Sequence, residues 1–172
     1  MRQTLIAAIL LVLSTAMLAQ PRQSASVHPE TGRPFMSTFD PIVSGSHPQT
    51  WDILQDERGV IFIGNGIGIT IYDGASWRTI STPNKSVVRS LAMDENGRIY
   101  AGSAHDMGYL QPDTMGTLAF VSLITHLDET ERDFNDVWTT IATPDGIYFQ
   151  ARERVFRFRS VRVVSPFRRR DG

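Results

Sequence analysis

The feature that most constrains the fold of this chain is a stretch of sequence that occurs twice. The segment "DILQDERGVIFIGNGIGITIYDG" returns thirty-eight residues later as "SLAMDENGRIYAGSAHDMGYLQPD". Four motif residues recur at this spacing: Asp56, Gly59, Ile61 and Gly64 return as Asp94, Gly97, Ile99 and Gly102. Repetition at a fixed period is typical of stacked architectures, because one repeat cannot bury its apolar faces alone.

Each copy has the pattern of four short strands. In the first copy "TWDILQD" alternates polar and apolar residues, "VIFIG" is apolar throughout, and "ITIYD" and "WRTI" follow short turns. Such runs, separated by Gly, Asp, Asn and Ser, predict antiparallel hairpins. A third copy, "VWTTIATPDGIYFQARERVFRF", follows an insertion. Its Trp138 and Gly146 align with Trp51 and Gly59 of the first copy.

Four strands in a period near forty predict an all-β chain of about three four-stranded antiparallel β-propeller blades, over residues 50–82, 88–123 and 137–160. A β-sandwich is the alternative, but its strands need not resemble one another at a fixed period. Closed propellers have about 4–8 blades. We therefore expect an incomplete propeller: the N-terminal fragment of a longer sensor, a truncated reading frame, or a short subunit that closes by oligomerising.

The first copy resembles the two-component regulator propeller repeat. The motif positions are held by Trp51, Ile53, Asp56, Gly59, Ile61, Gly64, Gly68, Tyr72, Asp73 and Trp77. Phe62 and Tyr100 stand where the family usually has tryptophan. In that family the repeat builds the periplasmic sensor of membrane histidine kinases and hybrid two-component proteins. The resemblance, over residues 50–158, implies an extracytoplasmic ligand-sensing domain, with any kinase activity in modules further downstream.

The N-terminus predicts export. Residues 1–19 have one arginine, an apolar run from Leu5 to Leu13 and small residues up to Ala19, as in a signal peptide. Cleavage could fall as late as about residue 26. A retained membrane anchor is the alternative, but the run is shorter than the ~20 apolar residues of a spanning helix. We expect a periplasmic or extracytoplasmic protein, with a leader or linker over residues 20–49 rich in Pro, Ser and Gly.

Charge is divided unevenly along the chain. The formal net charge is −1, which gives no case for a nucleic-acid partner. Residues 152–172 nevertheless carry 8 basic and 2 acidic groups. The stretch "RERVFRFRSVRVV" alternates arginine with apolar residues, which predicts a strand with a basic outer face. Residues 159–172 are expected to form a basic tail or the start of a truncated blade.

No catalytic or metal-binding pattern stands out. The four histidines lack the spacings of a zinc site, and there is no cysteine. We expect no cofactor, no metal and no catalytic residue in this segment. The alternatives to a sensor are an exported propeller enzyme of the lyase type and a protein-binding propeller without a signalling role. Expected partners are an unidentified small molecule, with an oligosaccharide as one candidate, and a second copy of the full-length sensor. Contact with the membrane is expected only through segments further downstream.

Strand parity predicts where a ligand would bind. In a four-stranded antiparallel blade the first and third connections lie at one end of the sheet, and the second and fourth lie at the other. The tight turns "ERG", "GAS" and "ENG" belong to the first set, whereas "NGIG", "SAHDMG" and the insertion "ITHLDETERDFND" are longer and belong to the second. Binding sites usually lie in such variable connections. The predicted ligand-binding residues are therefore His105, Asp106, His126 and Asp128.

Overall fold

The computed structural model describes residues 37–159 and the backbone of residues 162–168. The predicted signal peptide and most of the leader lie outside these residues. The described end of the leader forms one short helix, α1 (Pro41–Ser44), capped by the Asp40 carboxylate, which accepts a hydrogen bond of 2.8 Å from Ile42 N. No described helix is long and apolar enough to cross a membrane.

The rest of the described chain forms three four-stranded antiparallel sheets, each with its strands in chain order. The first sheet contains β1 (Thr50–Gln55), β2 (Ile61–Asn65), β3 (Gly68–Tyr72) and β4 (Trp77–Ile80). The second contains β5 (Val88–Met93), β6 (Ile99–Ser103), β7 (Asp106–Pro112) and β8 (Leu118–Ser122). The third contains β9 (Val137–Thr143), β10 (Gly146–Ala151), β11 (Arg154–Arg159) and β12 (Arg162–Arg168). The predicted all-β class is confirmed.

The third sheet extends further than the sequence predicted. Its fourth strand, β12, pairs with β11 and lies within the segment expected to be a basic tail or the start of a truncated blade. Arginine, valine and phenylalanine recur from β11 into the start of β12, so the pattern did not show where one strand ended and the next began. The pairing leaves out Ser165 and Pro166 of β12 and Phe156 of β11. A proline is tolerated there because β12 is an edge strand of the described sheet.

The recurring Asp and Gly residues build the same turn twice. Asp56 Oδ1 accepts a hydrogen bond from Val60 N (3.0 Å), and Asp94 Oδ1 accepts one from Arg98 N (2.9 Å). Gly59 has a φ of 84°, a conformation that few other residues adopt. The carboxylate satisfies backbone N–H groups that the tight turn leaves unpaired, which explains why the two residue types recur together.

Two apolar cores lie between neighbouring sheets. The core between the first and second sheets contains Phe62, Ile69, Ile71, Val88, Leu91, Ile99, Ala101 and Leu110. The core between the second and third contains Tyr100, Met107, Leu123, Leu127, Phe134, Val137, Ile147, Phe149, Ala151, Phe156 and Phe158. Neighbouring residues Ile99 and Tyr100 belong to different cores, because side chains alternate across a strand. The second sheet is therefore covered on both faces.

The first strands of the three sheets lie side by side, with β5 between β1 and β9. Asp52 Oδ2 accepts a hydrogen bond of 2.7 Å from Leu91 N, which joins β1 to β5. Ser90 Oγ lies 2.7 Å from Thr140 Oγ1, which joins β5 to β9. Ser90 follows Asp52 by thirty-eight residues, so the same repeat position links each sheet to the next.

Candidate functional site

Each first strand contains a β-bulge at the same repeat position. Pairing with the neighbouring strand skips one residue near the start of β1, of β5 and of β9. The skipped residues are Trp51, Arg89 and Trp138. A bulge turns its extra residue away from the regular ladder, and bulges are common beside binding sites. Because the three strands are neighbours, the three bulged side chains meet.

These side chains form a corner, here called the Trp–Arg corner: Trp51, Arg89 and Trp138. Arg89 Cζ lies 4.2 Å from the centroid of the Trp51 ring and 4.4 Å from that of Trp138. The two indole rings are 6.0 Å apart at an interplanar angle of 76°. The guanidinium therefore sits where two nearly perpendicular aromatic walls meet, with a favourable cation–π contact to each.

The indoles remain open to solvent, whereas the arginine is mostly covered. Trp51 is 37% exposed and Trp138 is 47% exposed, but the Arg89 side chain is only 15% exposed. The second-strand aromatic residues differ from these tryptophans: Phe62 (1% exposed) and Tyr100 (4%) are buried, whereas Trp51 and Trp138 lie at the surface.

Asp136 supplies the counter-charge of the corner. Its Oδ2 lies 2.8 Å from Arg89 Nε, an ion pair without the alignment of a hydrogen bond. Arg89 Nη1 is buried and has no hydrogen-bond partner within the described residues. A buried N–H without a partner is costly. The corner thus holds a cation that is paired in charge but incompletely hydrogen-bonded.

His105 holds the segment that carries Asp136. Its Nδ1 donates a hydrogen bond of 2.8 Å to Phe134 O, and its backbone N donates one of 3.3 Å to Asn135 O. The neighbouring Ala104 forms an isolated bridge with Asp136. His105 has a φ of 58°, a left-handed conformation that is uncommon outside glycine. Its observed role is therefore to position the end of the insertion beside Arg89.

The other predicted ligand-binding residues are dispersed. Asp106 is only 4% exposed, and its Oδ1 accepts hydrogen bonds from Ser122 Oγ (2.6 Å) and Met107 N (2.8 Å). His126 ends one 3₁₀ turn (Ile124–His126) and Asp128 precedes another (Glu129–Glu131), and both side chains are exposed. Within the described residues no hydrogen bond or ion pair joins His126 or Asp128 to the other two.

The Trp–Arg corner nevertheless lies at the end of the sheets where strand parity predicted ligand binding. The strands β1, β5 and β9 start at the end that carries the second and fourth connections, including His105 and the insertion. The prediction that "NGIG" and "SAHDMG" are larger loops is wrong, because strand pairing continues to Asn65 and Gly68, and to Ser103 and Asp106, leaving two-residue turns.

The sequence did contain a signal for the corner. Arg89 follows Trp51 by thirty-eight residues, the spacing of the other repeat residues, and Trp138 was already aligned with Trp51. The first and third copies have tryptophan at this motif position, whereas the second copy has arginine. This substitution departs from the repeat and could have been noticed in the sequence. Strand neighbours and bulges were needed to show that the three side chains meet.

Two clefts lie at the opposite end of the sheets. They have volumes of about 700 Å³, between the first and second sheets, and about 450 Å³, between the second and third. Both are lined by turn residues, including Glu95 and Asn96, and the larger one also contains Glu57, Arg58 and Arg98. Their charges are of both signs and partly paired, as in the Asp56–Arg58 ion pair.

The described residues thus define an all-β protein of three stacked antiparallel sheets, with an aromatic and cationic corner on its first strands. Among the residues that the structure places, no three His, Asp or Glu side chains are grouped so as to hold a metal ion. No model of a known protein family matches the chain, and no curated protein matches it either.

Asp106 should give stability an unusual dependence on pH. Burial raises the pKa of Asp106 above its usual value of 3.8, against the lowering effect of its two hydrogen bonds. The folded state therefore keeps this proton to a higher pH than the unfolded chain does. We expect the free energy of unfolding to fall as the pH rises from below 3.8 through the raised pKa, and Asp106→Asn to remove that fall. Denaturant titration at a series of pH values measures the difference.

Asp73 provides a control of opposite sign. Hydrogen bonds from Ser76 and Ala75 lower the pKa of Asp73 from 3.8 to about 2. The ionised Asp73 carboxylate stabilises the folded state above pH 3.8, and this contribution is lost as the pH falls toward 2. Asp73→Asn should therefore lower the free energy of unfolding least at acidic pH. Parallel slopes for the two variants would contradict the assignment of Asp106.

Proposed function

We propose that this chain is an extracytoplasmic ligand-sensing segment of a two-component signalling protein, in which the three sheets are consecutive β-propeller blades. The observation that carries the proposal is the Trp–Arg corner. It places one side chain from the same repeat position of each sheet around a single point, open to solvent. The resemblance of the repeat to sensor propellers supplies the signalling context.

Support for the propeller comes from the way the sheets are stacked. Neighbouring sheets approach most closely through their first strands, as blades do around an axis. Leu54 packs against the core between the first and second sheets, so the adjacent Ile53 points to the opposite face, where it is 64% exposed. Ile141 is likewise 52% exposed on the outward face of the third sheet. In a propeller these faces would be covered by further blades.

Support for ligand binding comes from the composition of the corner. Small-molecule sites commonly combine aromatic surface with a few polar groups that fix orientation. At protein–protein interfaces, tryptophan, tyrosine and arginine are likewise enriched at the residues that contribute most to binding. Here two accessible indoles flank a guanidinium whose Nη1 has no hydrogen-bond partner among the described residues. A purely structural clamp would not require the indole surfaces to stay open.

Intrinsic fluorescence tests the proposal, because the chain contains only three tryptophans. The third, Trp77, lies in a separate cluster with its ring stacked 4.2 Å from Tyr72. The full chain carrying Trp77→Phe therefore reports on the corner alone. We expect at least one class of small molecule from outside the cell to change its emission in a saturable manner, with a rise in melting temperature set by mass action.

The matched control is the double variant Trp51→Phe, Trp138→Phe, in which only Trp77 emits. The same compounds should leave its emission unchanged. A saturable response in this control, with none in Trp77→Phe, would remove the corner from the proposal. Chemical turnover of the bound compound would favour an exported enzyme instead.

A further inference from the structure

We infer that the three sheets bind a second copy of this chain head to tail, with the first sheet of one copy against the third sheet of the other. This inference goes beyond the proposed function and does not depend on ligand binding at the Trp–Arg corner. It concerns two surfaces. The leading face is the outward face of the first sheet around Ile53, and the trailing face is the outward face of the third sheet around Ile141.

Exposed apolar side chains mark both surfaces. On the first strands of the sheets, the large apolar side chains that are exposed are Trp51 and Ile53 of β1 and Trp138 and Ile141 of β9. On β5, which lies between those two strands, the apolar side chains are buried or half-buried. Apolar surface left open in this way is typical of an interaction site.

The leading face matches a surface that is already buried inside the chain. Leu91 follows Ile53 by thirty-eight residues, and Ile99 follows Ile61 by the same number. Leu91 and Ile99 belong to the core between the first and second sheets. The leading face therefore presents the same repeat positions with which the second sheet packs against the first.

The trailing face matches the opposite wall of that core. Leu54 on β1 pairs with Phe62 on β2, and both contribute to the core between the first and second sheets. Ile141 on β9 pairs with Tyr148 on β10 in the same arrangement. Ile141 thus occupies the position that receives the next sheet, but it is exposed. The two open faces are therefore equivalent to two faces that fit together within the chain.

A polar link between the sheets continues in the same direction. Asp52 Oδ2 accepts a hydrogen bond from Leu91 N on the second sheet, and Ser90 Oγ lies 2.7 Å from Thr140 Oγ1 on the third. Thr139 has the equivalent position on β9 and is exposed. Contact between two copies would place Thr139 against β1 of the other copy, as a continuation of the interfaces between sheets.

Two copies can cover both faces at once. A contact between two different faces repeats until it closes into a ring or extends as a filament. Each copy contributes three described sheets, so two copies contribute six. Closed propellers have about 4–8 blades. We therefore expect a closed pair, in which the second copy supplies the further blades that each open face lacks.

The leader covers the other side of the leading face. The Phe39 ring centroid lies 5.2 Å from those of Tyr72 on β3 and Trp77 on β4. The corresponding pair on the second sheet, Leu110 and Phe120, packs against the first sheet. Phe39 therefore fills part of the place of a preceding sheet, and the side formed by β1 remains open for the second copy.

The test measures the molar mass of the full chain by sedimentation equilibrium over a range of concentrations. We expect a dimer that does not grow further. Ile53→Lys and Ile141→Asp each bury an unpaired charge at the contact, which should weaken the dimer by about tenfold or more. Met115→Lys is the control, because Met115 is exposed on the turn between β7 and β8, outside both faces, and it should leave the dimer unchanged.

Mixing Ile53→Lys with Ile141→Asp tests the head-to-tail arrangement. In a mixed pair one contact joins two unchanged faces, and the other brings the introduced lysine against the introduced aspartate. We expect the mixture to associate at least about tenfold more tightly than either variant alone, because opposite charges replace an unpaired one. Misfolding of a variant would not be repaired by mixing, so this recovery keeps the test sound.

Three results would overturn the inference. A monomer at every concentration would leave the two faces to further sheets of a longer chain or to another protein. A dimer weakened by both variants but not restored by mixing would join like faces. Association that neither variant weakens would arise outside both faces. Ligand binding is measured separately by the fluorescence of Trp77→Phe, so the proposed function and this inference can each fail alone.

Discussion

Phe62→Ala is expected to lower the free energy of unfolding by about 3–5 kcal/mol, the usual cost of removing a fully buried aromatic ring. Phe62 is 1% exposed and lies in the core between the first and second sheets, together with Ile71 and Leu91. Its removal leaves a cavity between two rigid sheets, which cannot close over it. Denaturant or thermal unfolding of the full chain measures the loss.

Trp138→Ala is the matched comparison, because it removes a larger ring from the surface. Trp138 is 47% exposed and contacts Arg89 and Trp51 at the corner. We expect it to cost only about 1 kcal/mol, the scale of one exposed cation–π contact. The order would be reversed if the motif tryptophans, and not the second-strand aromatics, held the sheets together.

Much of the fold could be predicted from the sequence because turns and strand alternation are local. The turns of Asp56 and Asp94 depend on a carboxylate and a glycine a few residues away, so their pattern is visible in one short stretch. The end of the third sheet could not be predicted in the same way. The run of arginine and apolar residues continues from β11 into the start of β12, and only their pairing separates the two strands.

The candidate site was predicted less well, since it depends on contacts between distant residues. Strand parity correctly predicted that the second and fourth connections of each sheet lie at the same end. It could not show that Asp106 turns inward to Ser122, or that the insertion returns to place Asp136 beside Arg89. A bulge in each first strand is likewise a feature of pairing between strands, and it left no separate mark in the sequence.

Gly102→Ala is expected to destabilise the protein, because a methyl group at this position would overlap its neighbours. A Cβ at this position would lie 2.5 Å from Ser90 Oγ and nearer still to Val137 Cγ1. Val137 directly precedes the bulged Trp138, so the glycine allows β9 to approach the second sheet. Overpacking of this kind costs about 1–3 kcal/mol or more. It should also shift β9, and with it one wall of the Trp–Arg corner.

Gly64→Ala is the graded control, because Gly64 occupies the same repeat position one sheet earlier. There a Cβ would lie 3.0 Å from Val88 O and 3.1 Å from Val88 Cγ1, which is tight but needs a smaller adjustment. We expect Gly64→Ala to destabilise the protein less than Gly102→Ala, with unfolding measured for both. If both variants lost the same free energy of unfolding, the glycines would be needed for the backbone conformation of their strands and not for the spacing between sheets. A larger loss for Gly102→Ala, together with altered Trp138 emission in the Trp77→Phe background, would show that the glycine sets the spacing at which the corner forms.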